Sequence, residues 1–306
     1  MHVALGFSAV HRGGSGPPMV CLHGFMDTWR TWELVLPALE RRHDVLAPTL
    51  AGHAGGPSFD DAGGYPGIVD AVEWAMDDAG FETAHVVGNS LGGYVGLHLA
   101  ARGRATSVVA LAPCGGWVEG DDFYPAIVRR QAEMHRGLQG AALTADALVS
   151  TMGGRRSVTD ATTVAFEHIP ADLLAHQVRG VAACDALTLI DCALREGYDL
   201  DAQRVTCPVR IVWGMADRLL PLPVSAVRYR RDWLPTADWV ELDDVGHAPQ
   251  LDAPLEAAQL ILEFTSRWTV RGAGVSAGGV GLGDGLSRRR RGRSPRAPRA
   301  SLLSVA

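Results

Sequence analysis

The stretch VVGNSLGGYVG, residues 86 to 96, places a serine between two glycines where the chain changes its pattern. Residues 84 to 87 include two valines and no charged residue, which indicates the end of a buried strand. From Leu91 to Arg102, apolar residues recur among small ones as in a helix. Ser90 therefore lies at a strand-to-helix turn. A turn of this kind constrains the fold strongly, because it lifts the serine oxygen out of the edge of a parallel sheet.

Strand and helix signals alternate on both sides of a purely helical stretch. Apolar runs that end in turn residues predict strands within residues 17–25, 43–56, 83–88 and 105–116, and the alternation resumes from Cys207 to Trp268. Such alternation predicts a parallel sheet that helices cover on both faces. From Trp117 to about Arg195 the pattern is helical without a convincing strand, which predicts a helical cap inserted between two parts of one sheet.

The predicted organisation has three parts. Residues 1–116 and 196–270 form an α/β core, residues 117–195 form the helical cap, and residues 271–306 form a tail rich in glycine and arginine. The tail carries eight arginines and one acid, Asp284. Its apolar residues are too scattered to bury a core, so we predict that the tail is disordered and has no function of its own.

Composition narrows the possible partners and the compartment. The formal net charge is -6 although the tail is basic, so the rest of the chain is acidic and nucleic acid is not expected as a partner. The five cysteines show neither zinc nor CxxC spacing, which favours free thiols and a cytoplasmic location. Neither a signal peptide nor a membrane span is expected. The oligomeric state stays open.

Further residues supply what a serine nucleophile requires. A serine hydroxyl is a weak nucleophile at neutral pH, so it needs a general base that an acid orients. Asp217 follows the apolar run VRIVWG and His247 follows the strand-like DWVEL. The order Ser, Asp, His is the one expected when all three lie on successive loops at one sheet edge. The pair His23-Gly24 follows the first apolar run, so the N–H groups of Phe25 and Leu91 would form a two-donor oxyanion hole.

The segments LHGFMDTW, GHAGG, VVGNSLGG, WGMADRLLP and GHAPQLDAP resemble the α/β-hydrolase superfamily, in its capped branch of small-molecule hydrolases. The resemblance spans about residues 17 to 268 and is closest in the core motifs. It implies an α/β-hydrolase fold: a mostly parallel eight-stranded sheet flanked by helices, with a helical cap inserted after the sixth strand. It also implies a triad of Ser90 as nucleophile, His247 as general base and then acid, and Asp217 as orienting acid, without a metal or an organic cofactor.

The residue type at position 90 separates reaction classes within this superfamily. Haloalkane dehalogenases and epoxide hydrolases of this fold use an aspartate nucleophile, so Ser90 argues against both. We predict a serine esterase that cleaves a small, fairly apolar carboxylic ester through an acyl-enzyme. The sequence does not separate esterase activity from the side activity of cofactor-free haloperoxidases, which share the triad.

Two further alternatives stay open. One is a carbon–carbon bond hydrolase of vinylogous diketones, although many of those carry a Trp after the catalytic His, where this chain has Ala248. The other is a non-catalytic ligand receptor on the same fold, since a fold and a triad do not fix a biological role.

Aromatic and polar residues near these motifs are secondary candidates. Met26, Trp29 and Trp117 are candidates for lining an apolar acyl pocket, and core packing is the alternative for each. His53 is interpreted as loop structure near the site rather than as a catalytic residue.

Three acids and one histidine also need an interpretation. Asp243 and Asp244 precede His247 and compete with Asp217, which is preferred because it directly follows a strand.

Glu133 and His135 are interpreted as an exposed face of a cap helix.

Overall fold

A single sheet forms the centre of the protein, whose computed structural model describes residues 6–118, 120, 122–269 and 287–289. Its strands between residues 10 and 242 are β1 (Val10–Gly14), β2 (Pro18–Leu22), β3 (Asp44–Pro48), β4 (Ala84–Asn89), β5 (Ala105–Leu111), β6 (Val209–Gly214) and β7 (Asp238–Leu242). They lie side by side in the order β1-β3-β2-β4-β5-β6-β7. Only β1 runs antiparallel to its neighbour, so the other six strands end at the same edge of the sheet.

Helices connect these strands and cover both faces of the sheet. They are α1 (Leu36–Leu39), α2 (Gly64–Asp78), α3 (Leu91–Ala101), α4 (Phe123–Ala141), α5 (Ala145–Val149), α6 (Met152–Thr159), α7 (Ala171–Ala183), α8 (Ala186–Glu196), α9 (Pro249–Asp252) and α10 (Pro254–Thr269). Short 3₁₀ turns and one π-helical turn, Tyr229–Trp233, lie in the connections. The predicted α/β-hydrolase fold is confirmed.

Successive strand residues alternate between the two faces, as a pleated strand requires. Val86 of β4 and Val108 of β5 pack on the face that α2 and α3 cover. Their neighbours Val87 and Val109 pack on the opposite face, together with Phe264 of α10. β4 is buried along its whole length. Since apolar cores fill both faces, the edge where the strands end is the part of the sheet that can hold a site.

Helices α4 to α8 form an insert between β5 and β6. The insert therefore follows the fifth strand of the described chain, not the sixth as the resemblance implied. The reason is that a single antiparallel strand, β1, comes before the parallel strands β2 to β5 in the described chain. β1 completes that side of the sheet by pairing with β3. The insert has an apolar cluster of its own, which includes Ile169, Leu173 and Val178 and extends to Ala248 and Leu251 of the core.

Among the described helices, no single one is both long enough and apolar enough to cross a membrane. Only α7 and α8 meet the requirement together, and the chain bends by 65° between them.

Three residues of the predicted tail belong to the sheet. Ser287–Arg289 form a short strand, β8, that pairs in parallel with β7. For these residues the prediction of disorder is wrong, because the edge of β7 presents unpaired backbone groups that a short extended segment can satisfy. The sheet thus has eight strands in the described chain, but the eighth comes from the tail. The rest of residues 271–306 lies outside the described part.

Candidate active site

Ser90 occupies a strained backbone position between β4 and α3. Its φ and ψ are 53° and -114°, a positive φ that residues other than glycine rarely adopt. Glycine is required on both sides, because a methyl group at Gly88 would overlap the carbonyl oxygen of Gly92, and one at Gly92 would overlap that of Leu22. The Ser90 N–H donates to the Leu111 oxygen at 2.9 Å, which ties the turn to β5. The strand-to-helix turn predicted from the sequence is therefore present.

His247 and Asp217 form a buried pair on the loops that follow β7 and β6. The His247 Nδ1 donates to Asp217 Oδ2 at 2.8 Å. The other oxygen of Asp217 accepts from the backbone N–H groups of Leu219 and Leu220, at 2.8 and 2.7 Å. Because the carboxylate receives the Nδ1 proton, the lone pair of the neutral ring lies on Nε2. That Nε2 atom is buried and has no hydrogen-bond partner among the described residues.

The two acids that competed with Asp217 do not bond the histidine ring. Asp243 is half-buried and Asp244 is exposed, with a positive φ of 58° at the turn. The ring's hydrogen bond goes to Asp217 alone, since Nε2 has no partner in the described chain. Of the three acids, Asp217 is thus the one placed to orient His247.

The loop after β2 lies against Ser90. A methyl group on Gly24 would lie 3.4 Å from the Ser90 Cβ, so these two residues are neighbours. The Gly24 carbonyl oxygen accepts from His23 Nδ1 at 2.7 Å and from the Asp27 N–H at 3.2 Å. In a trans peptide the N–H points opposite to the C=O. The Phe25 N–H is therefore directed away from His23 and Asp27.

His23 fixes this peptide as a neutral imidazole. Its Nε2 accepts from the Leu50 N–H at 2.9 Å, which leaves Nδ1 as the protonated atom that donates to Gly24. The ring is fully buried, and burial lowers its pKa well below the usual range, helped by the nearby His53. A neutral, fixed tautomer holds the loop in one orientation over the ordinary pH range.

A cavity opens directly beside Ser90. Its empty space, counted together with the solvent at its open mouth, is about 540 Å³. Helices α4 and α8 of the insert contribute one wall, and the turn residues Phe25, Ser90 and Leu91 contribute another. The remaining lining residues are Tyr65, Cys114, Trp117, Tyr198, Leu219 and Leu220, and none of the described lining residues carries a charge.

The three aromatic and sulfur candidates for the pocket have different positions. Trp117 lines the cavity, as predicted. Met26 and Trp29 are not among the described lining residues. Met26 has a positive φ of 62°, and its side chain is buried in the core. Trp29 stacks on His11 of β1 with ring centroids 4.9 Å apart and packs on the other face of the sheet. For these two, the alternative of core packing is the correct one.

His53 and His135, two further histidines considered from the sequence, are both buried. His53 packs edge-on against His23 and Phe25, with centroids 4.9 and 5.9 Å apart, and its Nδ1 donates to the Ala51 oxygen. Burial lowers its pKa to about 4. It supports the loop beside the cavity without lining it. His135 bonds the Cys184 oxygen at 3.2 Å and is buried, so its interpretation as part of an exposed face is wrong; Glu133 is exposed.

Asn89 is a site residue that the sequence analysis missed. Its Nδ2 donates to the oxygens of Leu111 and His247, at 3.1 and 3.0 Å, and its Oδ1 accepts from Gln250 at 3.1 Å. Asn89 directly precedes Ser90, so these bonds bring the serine turn and the histidine loop together. An amide at the end of an otherwise apolar, fully buried strand was the available signal.

Asp252 is a second missed residue, and it joins the histidine loop to the insert. Its Oδ2 accepts from the N–H groups of Gly246 and Val164 at 2.6 and 2.8 Å, and its Oδ1 accepts from that of Ala165 at 2.7 Å. The Ala248 N–H adds a bond to the insert, at Thr162. Ala248 is therefore bonded directly to the insert, and Gly246 is linked to it through Asp252.

Within the described residues, no cluster of three or more His, Cys, Asp or Glu side chains could hold a metal ion. The five cysteines are free thiols, and four of them are buried. Burial raises the pKa of the Cys114 thiol, which lines the cavity, to about 12. The thiol beside Ser90 is thus protonated at neutral pH and is a poor nucleophile.

Comparison with known proteins gives one family and several reactions. The sequence model of the "Alpha/beta hydrolase family" matches residues 19–260. Epoxide hydrolase EphH of Mycobacterium tuberculosis is 30% identical over 209 residues, which cover 64% of this chain and 92% of that protein. The 2-hydroxymuconate semialdehyde hydrolase of a Pseudomonas species is 26% identical over 83% of this chain and 89% of its own length. A pimeloyl-[acyl-carrier protein] methyl ester esterase of Aromatoleum aromaticum is 28% identical, over 80% and 96%.

Proposed function

The chain belongs to the alpha/beta hydrolase family, and we propose that it is a serine hydrolase that cleaves a small, neutral carboxylic ester through an acyl-enzyme. The observation that carries the proposal is the state of His247. Its Nδ1 is bonded to Asp217, and its Nε2 is buried without a partner in the described chain. A free, desolvated lone pair next to the serine turn is what a general base requires.

The proposed chemistry assigns each group one task. His247 Nε2 takes the proton of Ser90 as the serine oxygen attacks the ester carbonyl. The N–H groups of Phe25 and Leu91 donate to the oxyanion that forms, with the positive end of the α3 dipole behind Leu91. His247 then gives its proton to the departing alcohol. Water, deprotonated by the same histidine, attacks the acyl-enzyme and releases the acid and Ser90.

Two features favour an ester over the other reactions in the family. The nucleophile position holds Ser90, whereas the epoxide hydrolases of this fold that the sequence resembles use an aspartate. The substrate of a hydroxymuconate-type hydrolase carries a carboxylate, and the described walls of this cavity offer it no cation. A neutral ester needs no such partner, and the named esterase relative acts on a methyl ester.

The proposal is tested by rapid mixing of the protein with p-nitrophenyl butyrate. We expect a burst of p-nitrophenol equal to one equivalent of protein, followed by slower steady turnover. Ser90→Ala should remove the burst and lower kcat by about 10³-fold or more. Ser157→Ala is the matched control, because Ser157 is exposed on α6 and bonds only within that helix in the described contacts.

A chemical label gives an independent readout. A fluorophosphonate should add a single mass to the wild-type protein, located on Ser90, and none to Ser90→Ala. Binding of esters without a burst and without labelling would identify a ligand receptor instead. Labelling at another residue would refute the assignment of the nucleophile.

A further inference from the structure

The cavity beside Ser90 is surrounded by aromatic rings that contact one another. We call Tyr65, Trp117, Tyr124 and Tyr198 the ring cluster. Trp117 stacks on Tyr124 with centroids 4.8 Å apart and planes 13° apart. Tyr198 meets Trp117 and Tyr124 edge-on at 5.0 and 5.6 Å, and Tyr65 lies 5.2 Å from Tyr198. All four rings line the cavity, and their mutual contacts hold them in place.

The hydroxyl groups of the ring cluster are not equivalent. Tyr65 donates to the hydroxyl oxygen of Tyr198 at 2.7 Å. The Tyr124 hydroxyl is buried, and the neighbouring Tyr198 hydroxyl interacts with it outside standard hydrogen-bond geometry. A buried hydroxyl without a well-formed hydrogen bond costs free energy. A ligand oxygen that accepts from Tyr124 would remove this cost.

The position of the cavity shows which part of an ester it would hold. The departing alcohol must reach His247 Nε2 to be protonated, and His247 is not among the described lining residues. The lining does include Phe25, Ser90 and Leu91, which surround the carbonyl in the proposed mechanism. The cavity therefore extends from the carbonyl on its acyl side.

We propose that the ring cluster is a binding site for an aromatic acyl group, whose ring carries an oxygen substituent that accepts a hydrogen bond from Tyr124. This inference rests on the proposed ester hydrolysis. Aromatic pairs contribute about 0.5–1.5 kcal/mol beyond the burial of their area, so rigid aromatic walls favour a planar ring over a saturated one. The uncharged lining excludes a charged substituent in favour of a neutral ether or phenol oxygen.

The experiment compares esters that differ in one feature each. The substrates are methyl benzoate, its three monomethoxy isomers and methyl cyclohexanecarboxylate, with each kcat/KM divided by the alkaline hydrolysis rate of the same ester. We expect the wild-type protein to favour methyl benzoate over the saturated ester by about 5-fold. Tyr124→Phe should lower kcat/KM for one methoxy isomer by about 3- to 10-fold, the effect of one neutral hydrogen bond. It should change that of methyl benzoate by less than about 2-fold.

Tyr94→Phe is the control, because Tyr94 bonds the Asp199 backbone and is not among the described lining residues. Any loss it causes should be equal for all five esters. An equal loss for methyl benzoate and every methoxy isomer in Tyr124→Phe would overturn the proposal. So would equal rates for the aromatic and the saturated ester.

Calorimetric titration of Ser90→Ala with the same unhydrolysed esters separates this inference from the proposed function. Preferred binding of a methoxybenzoate, weakened by adding Tyr124→Phe, supports the ring-cluster site even if the wild-type protein hydrolyses no ester. Ester hydrolysis without any preference for aromatic rings would support the proposed function and refute the aromatic site.

Discussion

Replacing Asp252 by asparagine tests whether the insert holds the histidine loop in place. The carboxylate accepts three backbone N–H groups, those of Gly246, Val164 and Ala165, at 2.6–2.8 Å, and it is 3% exposed. An amide offers one oxygen, so at least one N–H would face an NH₂ group, and the bonds that remain would lose the charge. Hydrogen bonds to charged groups contribute about 1.5–3 kcal/mol each. We therefore expect Asp252→Asn to lower the free energy of unfolding by about 2–4 kcal/mol.

Two measurements check this expectation. For a chain of this size the loss corresponds to a fall in Tm of about 3–7 °C, which calorimetry resolves. Gly246 directly precedes His247, so a displaced loop should also lower kcat by about 10-fold at a temperature where the variant is fully folded. Asp244→Asn is the matched control, since Asp244 is exposed in the same loop and asparagine accepts its positive φ.

The outcomes separate stability from positioning. A fall in Tm with unchanged kcat would show that Asp252 stabilises the fold without positioning the base. Unchanged Tm and unchanged kcat would refute the reasoning altogether, because three buried bonds would then contribute nothing measurable.

Three further predictions concern the acid, the turn and the pH dependence of stability. Asp217→Asn should lower kcat by about 10²–10⁴-fold because His247 loses its orienting acceptor, whereas Asp243→Asn should cost far less; ester kinetics on both variants decide. Gly92→Ala should abolish soluble expression or lower the free energy of unfolding by about 3 kcal/mol or more in denaturant titrations, because its methyl group meets β2. Burial raises the pKa of Asp27 to about 6, against about 3.9 in the unfolded chain. Between these two values the folded state binds more protons than the unfolded state. The contribution of Asp27 to the free energy of unfolding therefore falls as pH rises from about 4 to 6. The free energy of unfolding, measured by chemical unfolding at pH 4 and pH 7, should fall by about 2 kcal/mol less in Asp27→Asn than in the wild-type protein. The same fall in both proteins would refute the prediction.

The sequence was most informative where strands end in short, distinctive motifs. Ser90, Asp217 and His247 each follow a recognisable apolar run, and a parallel sheet necessarily brings such strand ends to one edge. The role of the two glycines around Ser90 is also local, because β4 and α3 cross closely within a few residues of the sequence. These features depend on few residues, so one sequence was sufficient for them.

Contacts between distant segments could not be predicted in this way. Asp252 bonds residues 87 and 88 positions away, in a loop of the insert that carries no motif. Core packing could not be preferred for Trp29 because its partner, His11, lies on β1, a strand that the sequence pattern does not reveal. Met26 was misplaced because a positive φ in the loop turns its side chain into the core. In each case the deciding interaction forms only in the folded chain.

The apolar cluster of the insert has a consequence for how this protein can be recombined with its relatives. Ala248 and Leu251, on the loop that carries His247, pack in the same cluster as the helices of the insert. A chimera that exchanges the insert alone would keep Ala248 and Leu251, which pack against the original insert. Poor packing there would displace the loop that carries His247. The unit that can be transplanted between such proteins is thus discontinuous in sequence: it comprises the insert and residues 246–252, and a swap should carry both.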